Sequence, residues 1–349
     1  MKKRVLLVYT SFNTFVEADY HILSLKYSVD KYEFRANKKA KAIAVQLLKQ
    51  FLFLLLNLRS YDAVYVWFGD YHSVLPIVLS RIFRKKSYIV IGGYDVARLP
   101  EYKYGSLVKP LRRFSAYYSF KYASLCLPVV EKLEEKLHSF CPCAKSKTVY
   151  TGYQFDNLEL PNLNNTRTKS IITVSITQGS QRFYIKGLDR FRELAIQMPD
   201  FNFTVIGVSE SARQLFQPIP ENLLLLPPIS YHEITRHYLD ASFYAQFSRT
   251  EGLPNALCEG MLYGCIPLGT EVGGIPTAIE DYGMVIKDWK TMELKDFIHK
   301  THNAVDRQAI SDHILRKFDI SYRISRLHEI MATKEYSPPF ELHPLSPQF

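Results

Sequence analysis

Several patterns that would assign a function directly are missing from the sequence. The five cysteines, Cys126, Cys141, Cys143, Cys258 and Cys265, form an odd set without a C-x-x-C pair. This spacing excludes a zinc knuckle and indicates free thiols in a reducing cytoplasm. No predicted strand is followed by G-x-G-x-x-G, which counts against a nicotinamide-dependent oxidoreductase. No internal repeat is visible, which counts against a solenoid or propeller.

Long apolar runs are also scarce. One of the longest, Phe51 to Leu56, lies in a stretch of lysines and apolar residues at 38–59 and is far shorter than the roughly 20 residues that span a bilayer. The start resembles the charged head of a signal peptide, but its apolar run lasts only from Val5 to Tyr9. We therefore expect a first strand there.

Positive charge is concentrated in the first half of the chain. Up to residue 155 there are 25 Lys and Arg against 11 Asp and Glu, whereas the remainder has 19 against 23. The first half is therefore expected to meet an anionic partner, either nucleic acid or an anionic membrane face. Residues 38–59 have two interpretations, a helix at the membrane interface or an ordinary helix packed against a sheet.

Short β-branched or aromatic runs alternate with helical patterns along the whole chain. They lie at 4–9, 62–67, 87–92 and 124–129, and after a break near 151–168 they resume at 170–176, 202–207, 222–226, 242–247 and 265–269. This alternation predicts an α/β protein with two doubly wound domains. We expect the domains at 1–153 and 154–319 and an extended tail at 336–349.

The most informative segment runs from 249 to 277. It contains Glu251, a Gly-Leu-Pro turn, a predicted helix at 255–263 with Glu259 on it, and Gly264, which ends the helix. The free N–H groups at such a helix start can bind a phosphate. Because two acids would repel a phosphate, Glu251 and Glu259 are better suited to bind hydroxyl groups of the same ligand. The segment therefore predicts a ligand with a diphosphate and several hydroxyls, which describes a nucleotide sugar. The alternative is an acidic helix face on a generic α/β layer.

Almost position for position, this segment resembles the retaining glycosyltransferases of family 4, which have the two-domain GT-B fold. The resemblance implies two Rossmann-like domains that face each other across a cleft, with a helix at about 320–335 crossing back to the first domain. It also implies roles for individual residues. Glu251 would face the sugar and stabilise an oxocarbenium-like transition state, and Glu259 would bind the ribose. The backbone of Gly252, Leu253, Pro254 and Asn255 would hold the diphosphate. The backbone of Gly207 and Ile229 would lie against the base.

A basic pair follows the 170–176 strand. Arg182 and Lys186 lie in Arg-Phe-Tyr-Ile-Lys-Gly, at the strand end where an open α/β sheet binds its ligand. Lys186 can act as a point charge on a diphosphate, and Arg182 can contact two oxygens at once. The Lys-Gly pair resembles the phosphate-binding pair of the same family. The family's Gly-Arg at the preceding strand end is absent here, so the role of that arginine either passes to Arg182 or is missing. The alternative is two solvated loop charges.

The first half is expected to hold the acceptor. Gly92-Gly93-Tyr94-Asp95 follows a buried strand, at the point where members of the family often have a His-Asp pair. Because Tyr94 replaces the histidine, only Asp95 is carried over as a catalytic residue. An equally simple interpretation is that Asp95 caps the next segment.

These observations predict a retaining, metal-independent glycosyltransferase that needs no cofactor. It would use a UDP- or GDP-sugar and a glycan or lipid-linked acceptor, in cell-surface polysaccharide biosynthesis. No nucleic-acid partner is expected, and the location would be cytoplasmic, either free or peripheral at the inner membrane face. The alternatives are a GT-B epimerase or phosphorylase and a non-catalytic basic nucleic-acid-binding protein.

Overall fold

The first half of the chain forms a five-stranded parallel sheet. A computed structural model describes residues 2–35, 40–153, 162–163, 165–302 and 305–333. The strand order is β2-β1-β3-β4-β5. The strands are β1 (Arg4–Tyr9), β2 (Ser28–Glu33), β3 (Ala63–Trp67), β4 (Lys86–Ile91) and β5 (Leu125–Pro128), and the helices are α1 (Thr14–Lys26), α2 (Ala40–Asn57), α3 (Tyr71–Ile82), α4 (Pro110–Tyr122) and α5 (Glu131–Phe140).

The second half forms a six-stranded parallel sheet in the order β11-β10-β9-β6-β7-β8. Its strands are β6 (Thr168–Thr177), β7 (Asn202–Val208), β8 (Leu223–Leu226), β9 (Ala241–Gln246), β10 (Ile266–Thr270) and β11 (Met284–Ile286). Its helices are α6 (Ser180–Ile185), α7 (Leu188–Gln197), α8 (Glu210–Arg213), α9 (Tyr231–Asp240), α10 (Asn255–Leu262), α11 (Ile275–Ile279), α12 (Thr291–Thr301) and α13 (Arg307–Lys317). The strand order reverses between β6 and β9, which creates the crevice where doubly wound sheets bind ligands.

The predicted fold class is confirmed, and all nine predicted strands are present within two residues of their expected bounds. Two strands were missed. The edge strand β2 has the sequence Ser-Val-Asp-Lys-Tyr-Glu and is only half-buried, so it lacks the apolar run of a central parallel strand. The other, β11, has three residues and is too short to show a pattern.

The last described helix, α14 (Ile320–Ala332), returns to the first half and packs against α1. Its Arg323 makes a buried ion pair with Asp19 of α1. The chain also crosses between the halves at Tyr153, whose N–H donates to the Phe318 carbonyl and whose carbonyl accepts from Ile320. Residues 154–161, where the predicted second domain begins, and the predicted tail at 336–349 lie outside the described residues.

Candidate active site

A cleft of about 420 Å³ opens between the two sheets at the carboxyl ends of their strands. Both halves contribute to its walls. The first half supplies an aromatic and apolar wall, and the second supplies the charged groups. The lining comprises Phe15, Trp67, Phe68, Gly92, Val129 and Thr151 on one side, and Val174, Ser175, Ile176, Arg182, Lys186, Gln246 and the segment from Glu251 to Ala256 on the other. The predicted residues Arg182, Lys186, Glu251, Gly252, Leu253, Pro254 and Asn255 therefore share one cavity.

Helix α10 begins inside this cleft. Pro254 is its N-cap and Asn255 its first residue, which is the position where the sequence predicted the helix to begin. The first N–H groups of an α-helix have no intrahelical partner, so those of α10 are available to an anion in the cleft. The Tyr153 hydroxyl donates to Asn255 Oδ1 at 3.0 Å. The segment between the two halves thus holds the first side chain of the helix.

The other end of α10 is fixed by two arginines. Gly264 follows the helix with a positive φ of 77°, a conformation that favours glycine. Arg167 Nη2 donates to the Tyr263 carbonyl at 2.6 Å, and Arg307 Nη1 donates to the Gly264 carbonyl at 2.9 Å. These cations satisfy carbonyls that the helix leaves unpaired. The predicted stop at Gly264 is correct.

The loop that carries Glu251 is held between two glycine pairs. A Cβ on Gly252 would lie 2.3 Å from the Gly92 carbonyl oxygen of the first half. On the opposite side, Gly274 N–H donates to the Gly252 carbonyl at 2.6 Å, and a Cβ on Gly273 would lie 2.1 Å from the Glu251 carbonyl oxygen. Only residues without side chains allow this approach. The glycines of both halves therefore set the position of Glu251.

Lys186 is placed by the sharp turn between α6 and α7. Gly187 adopts a positive φ of 66°, and a Cβ there would lie 1.9 Å from the Phe247 carbonyl oxygen. On the same side, Arg249 N–H donates to the Ile185 carbonyl at 2.8 Å. The turn therefore packs directly on the segment after β9. This contact brings Lys186 next to Glu251.

Three donors converge on one oxygen of Glu251. Lys186 Nζ lies 2.5 Å from Glu251 Oε1, Ser248 Oγ lies 2.7 Å from it, and Gln246 Nε2 lies 3.0 Å from it. Gln246 is itself oriented by the Tyr244 hydroxyl, which donates to its Oε1 at 3.2 Å. Within the described part of the chain, no hydrogen bond engages Glu251 Oε2. This second oxygen is the one that remains for a ligand.

Tyr104 lies close enough to Arg182 and Glu251 for their charges to act on its hydroxyl. Arg182 is exposed on α6 and lines the cleft. Tyr104 belongs to the loop after β4. Burial raises the pKa of Tyr104 to about 12, with the negative charge of Glu251 adding to the rise and Arg182 opposing it. The phenol therefore stays protonated at neutral pH and can donate a hydrogen bond.

Glu259 lies farther along α10 and does not line the cleft. Burial raises its pKa, and the Tyr238 hydroxyl, which lies 3.4 Å from Glu259 Oε2, partly opposes that rise. Gly207 lies in β7 with a positive φ of 103°, where a Cβ would lie 2.7 Å from the Ser175 carbonyl oxygen. Ile229 follows β8 and packs half-buried against the core. Gly207 and Ile229 do not line the cleft either, and the predicted roles of all three residues stay predictions.

Asp95 is completely buried. Its two oxygens accept from Gly93 N–H at 2.9 Å and from Gly69 N–H at 3.3 Å. Burial raises its pKa to about 7, and the bonds from the backbone amides oppose the rise. Asp95 is absent from the cavity lining. Its geometry is that of a residue that positions the Gly92-Gly93 loop against Gly252. Both amides precede Asp95 in the chain, so these bonds do not cap the next segment, and the catalytic role of Asp95 stays a prediction.

Several site residues were not predicted from the sequence. Gln246 and Ser248 orient Glu251. They lie at alternate positions at the end of a predicted strand just before Glu251, and this spacing is the signal that could have identified them. Thr151 and Tyr153 come from the segment that the sequence marked only as a break. Phe15, Trp67 and Phe68 form the aromatic wall that the first half contributes to the cleft, and no motif distinguishes them from core aromatics.

Comparison with known proteins agrees with this geometry. Residues 174–303 match the family model described as glycosyl transferases group 1, and this range contains Arg182, Lys186, Glu251 and Glu259. Both the strand orders and the cleft are those of two Rossmann-like domains that face each other. The fold is GT-B.

Solved GT-B structures align over nearly the whole chain. Sucrose-phosphate synthase from Thermosynechococcus elongatus aligns with a TM-score of 0.73 and 12% identity, covering 95% of this chain and 98% of that one. Anabaena HepE in complex with UDP-glucose aligns at 0.68 and 14% identity, covering 94% and 99%. The lipopolysaccharide outer core galactosyltransferase WaaB aligns at 0.70 and 13% identity, covering 94% and 99%. No curated protein matches the sequence significantly.

Proposed function

We propose that this GT-B chain is a retaining, metal-independent glycosyltransferase of family 4. It moves a sugar from a UDP- or GDP-sugar to a hydroxyl of a glycan or lipid-linked acceptor in cell-surface polysaccharide biosynthesis. One observation carries the proposal. Lys186, Arg182, the start of α10 and Glu251 line a single cleft between the two sheets. The group 1 family match over 174–303 supports it, as do the UDP-glucose bound to HepE and the sugar transfer named for WaaB.

The charges in the cleft divide a nucleotide sugar into two parts. Lys186, Arg182 and the N–H groups at the start of α10 are suited to the diphosphate, whose negative charge increases as it leaves. Glu251 is suited to the sugar, where positive charge develops at the anomeric carbon. Lys186 makes an ion pair with Glu251. A bound diphosphate would compete for this ammonium group and free Glu251 to face the sugar.

The transfer itself requires one bond to break and one to form on the same face of the sugar. The bond between the anomeric carbon and the diphosphate oxygen breaks, and the acceptor oxygen bonds to that carbon. The proton of the acceptor hydroxyl passes to an oxygen of the leaving phosphate. Glu251 stabilises the oxocarbenium-like charge without forming a covalent bond. The aromatic wall of Phe15, Trp67 and Phe68 limits water on the acceptor side.

Thermal unfolding with added ligands tests the donor site. A ligand at one hundred times its Kd adds about 2.7 kcal/mol to the apparent stability. We expect UDP or GDP, but not NAD or a single-stranded oligonucleotide, to raise the Tm of the wild type. Lys186→Ala should abolish this rise. Lys169→Ala should retain it, because Lys169 lies at the opposite end of β6 and pairs with Asp200. Stabilisation by the oligonucleotide or NAD alone would contradict the proposal.

Glu251→Gln tests the chemical step separately from binding. The amide keeps the shape of the carboxylate but removes its charge. We expect kcat to fall by on the order of a hundredfold or more, while the affinity for the nucleoside diphosphate is kept or improved because Lys186 loses its competing partner. The anomeric configuration of the first product, followed by NMR, tests retention. An inverted product would show that the proposed front-face reaction is wrong.

A further inference from the structure

Helix α2 presents an apolar face to solvent. Val45, Leu48, Leu52, Leu55 and Leu56 recur at helical spacing and are between 41% and 82% exposed. We call these five residues the apolar face of α2. The inner side of the helix is apolar as well, because Leu54 is buried there beside Gln50, whose Nε2 donates to the His72 carbonyl at 2.9 Å. An ordinary surface helix directs polar and charged residues to solvent, whereas α2 exposes apolar residues in addition to those that it buries.

This exposed face has no acidic neighbours within its own helix layer. Right-handed crossovers place α2, α3 and α4 on the same face of the first sheet, because each connects to a strand farther along the order β2-β1-β3-β4-β5. In agreement, α3 packs against both α2 and α4. The segments 34–61, 71–94 and 102–130, which contain these helices, have no Asp or Glu at all.

Cations surround the apolar face of α2. Lys41, Lys49 and Arg59 are exposed along the helix or just beyond its end. At that end, Lys85 Nζ donates to the Arg59 carbonyl at 2.9 Å, which fixes the basic segment after α3 beside α2. Arg84 is exposed in this segment, close to Ile82, which is 64% exposed. Apolar side chains bordered by lysine and arginine match the boundary between anionic headgroups and acyl chains.

The helix lies along such a surface and does not cross it. Among the described residues, Ala40–Ser60 is the one helix long and apolar enough to span a bilayer, and only 17% of its most apolar window is buried. Its two ends connect to β2 and β3, which both pair with β1 in one sheet. Leu54 and Leu58 anchor its inner side in the core. To span a bilayer, the helix would have to separate from this sheet.

We infer that the α2–α4 face is a docking surface for an anionic lipid bilayer, with the apolar face of α2 inserted between headgroups. The charge complementarity decides between the possible occupants. A second copy of the chain seated on the same face would oppose Lys41, Lys49 and Arg59 to their own counterparts, since a two-fold interface uses the same patch twice. An anionic membrane neutralises these cations and also accepts the leucines. This inference is independent of the proposed sugar transfer.

Vesicle flotation with the full chain tests the inference. We expect the wild type to float with vesicles of phosphatidylglycerol and phosphatidylcholine and to stay with the soluble fraction when the vesicles contain phosphatidylcholine alone. Leu52→Glu/Leu56→Glu should lower the partition coefficient at least about tenfold. Met292→Glu/Ile196→Glu is the matched control, because these exposed apolar residues lie on the second half, and it should float like the wild type.

A second variant separates charge from apolar contact. Lys41→Glu/Lys49→Glu keeps the leucines and should bind anionic vesicles weakly, with less dependence on salt than the wild type. Cooperative thermal unfolding of both α2 variants at the Tm of the wild type would show that their fold is intact, so loss of vesicle binding is not loss of the fold. The inference would be overturned if the wild type did not bind anionic vesicles, or if the variants bound these vesicles as well as the wild type does. The inference would also be overturned if light scattering showed that the wild type is a dimer and that Leu52→Glu/Leu56→Glu is a monomer.

Discussion

Arg323 of the last described helix donates two hydrogen bonds to Asp19 of the first one, from Nε to Oδ1 at 2.6 Å and from Nη2 to Oδ2 at 2.7 Å. Both side chains are buried. Asp19 Oδ2 also accepts from the Tyr65 hydroxyl at 2.7 Å and from Trp67 Nε1 at 2.9 Å. Because Trp67 lines the cleft, this carboxylate connects the returning helix to the aromatic wall of the cleft.

Loss of the Asp19 charge should therefore be costly. Asp19→Asn leaves the Arg323 guanidinium buried without its counter-charge, and we expect the free energy of unfolding to fall by about 3–5 kcal/mol. Asp30→Asn is the matched control, because its ion pair with Arg4 is exposed on both sides and should contribute at most about 1 kcal/mol. Denaturant unfolding of both variants measures the difference. Equal losses would show that burial does not set the strength of the Asp19 pair.

Gly187→Ala should disturb both stability and donor binding. The new methyl group would meet the Phe247 carbonyl oxygen at 1.9 Å, and the residue would have to keep a positive φ. We expect a loss of about 1–3 kcal/mol together with weaker binding of the nucleoside diphosphate, since the turn positions Lys186. Gly179→Ala is the control. It has no atom within 4 Å of the new Cβ, and its backbone is extended. A Gly187→Ala variant with unchanged Tm and affinity would contradict the role of this contact.

Asp95 should make stability depend on pH. Its pKa is about 7 in the folded protein against 3.8 as the ordinary value, because burial disfavours the charged form. At a pH between these two values the folded state therefore keeps a proton that the unfolded state has lost. The contribution of Asp95 to the free energy of unfolding is full below about pH 4 and is lost as the pH rises through 7. A shift of one pKa unit corresponds to about 1.36 kcal/mol. We therefore expect the difference in unfolding free energy between the wild type and Asp95→Asn to decrease by a few kcal/mol as the pH rises from 4 to 8.

Parallel unfolding curves of the wild type and Asp95→Asn from pH 4 to pH 8 measure this trend. A constant difference between the two proteins would show that the Asp95 carboxyl ionises in the ordinary range. Glu259 also has a raised pKa, but it is present in both proteins and cancels in the comparison. The assay therefore reports Asp95 alone.

Glu259→Gln should weaken binding of the nucleoside diphosphate if this residue contacts the ribose. A hydrogen bond to a charged group contributes about 1.5–3 kcal/mol, so we expect Kd for UDP or GDP to rise about tenfold or more. The 2′- and 3′-deoxy nucleotides should bind the wild type more weakly and should show little further loss in Glu259→Gln. Equal losses for all nucleotides in the variant would place Glu259 away from the ribose. Calorimetry gives each Kd directly.

Local signals were sufficient to predict the elements around the second-half site. Gly264 ends α10 because the positive φ at that position favours glycine, and the central strands are visible because parallel strands buried on both faces are continuously apolar. The convergence of Lys186 and Glu251, 65 residues apart, is a property of the parallel sheet. Both follow strands at the same carboxyl edge, so the order of motifs was enough to place them together.

The sequence by itself determined the two α/β halves, the bounds of most strands and the acid, glycine and lysine positions of the second half. Only the tertiary structure decided which groups orient them. Gln246 and Ser248 donate to Glu251 across a turn, and Asp95 is buried where its loop approaches Gly252. Helix α2 buries Gln50 and Leu54 and leaves its apolar face in solvent. Such choices depend on contacts between distant segments, and neither periodicity nor local propensity records which partner a side chain will meet.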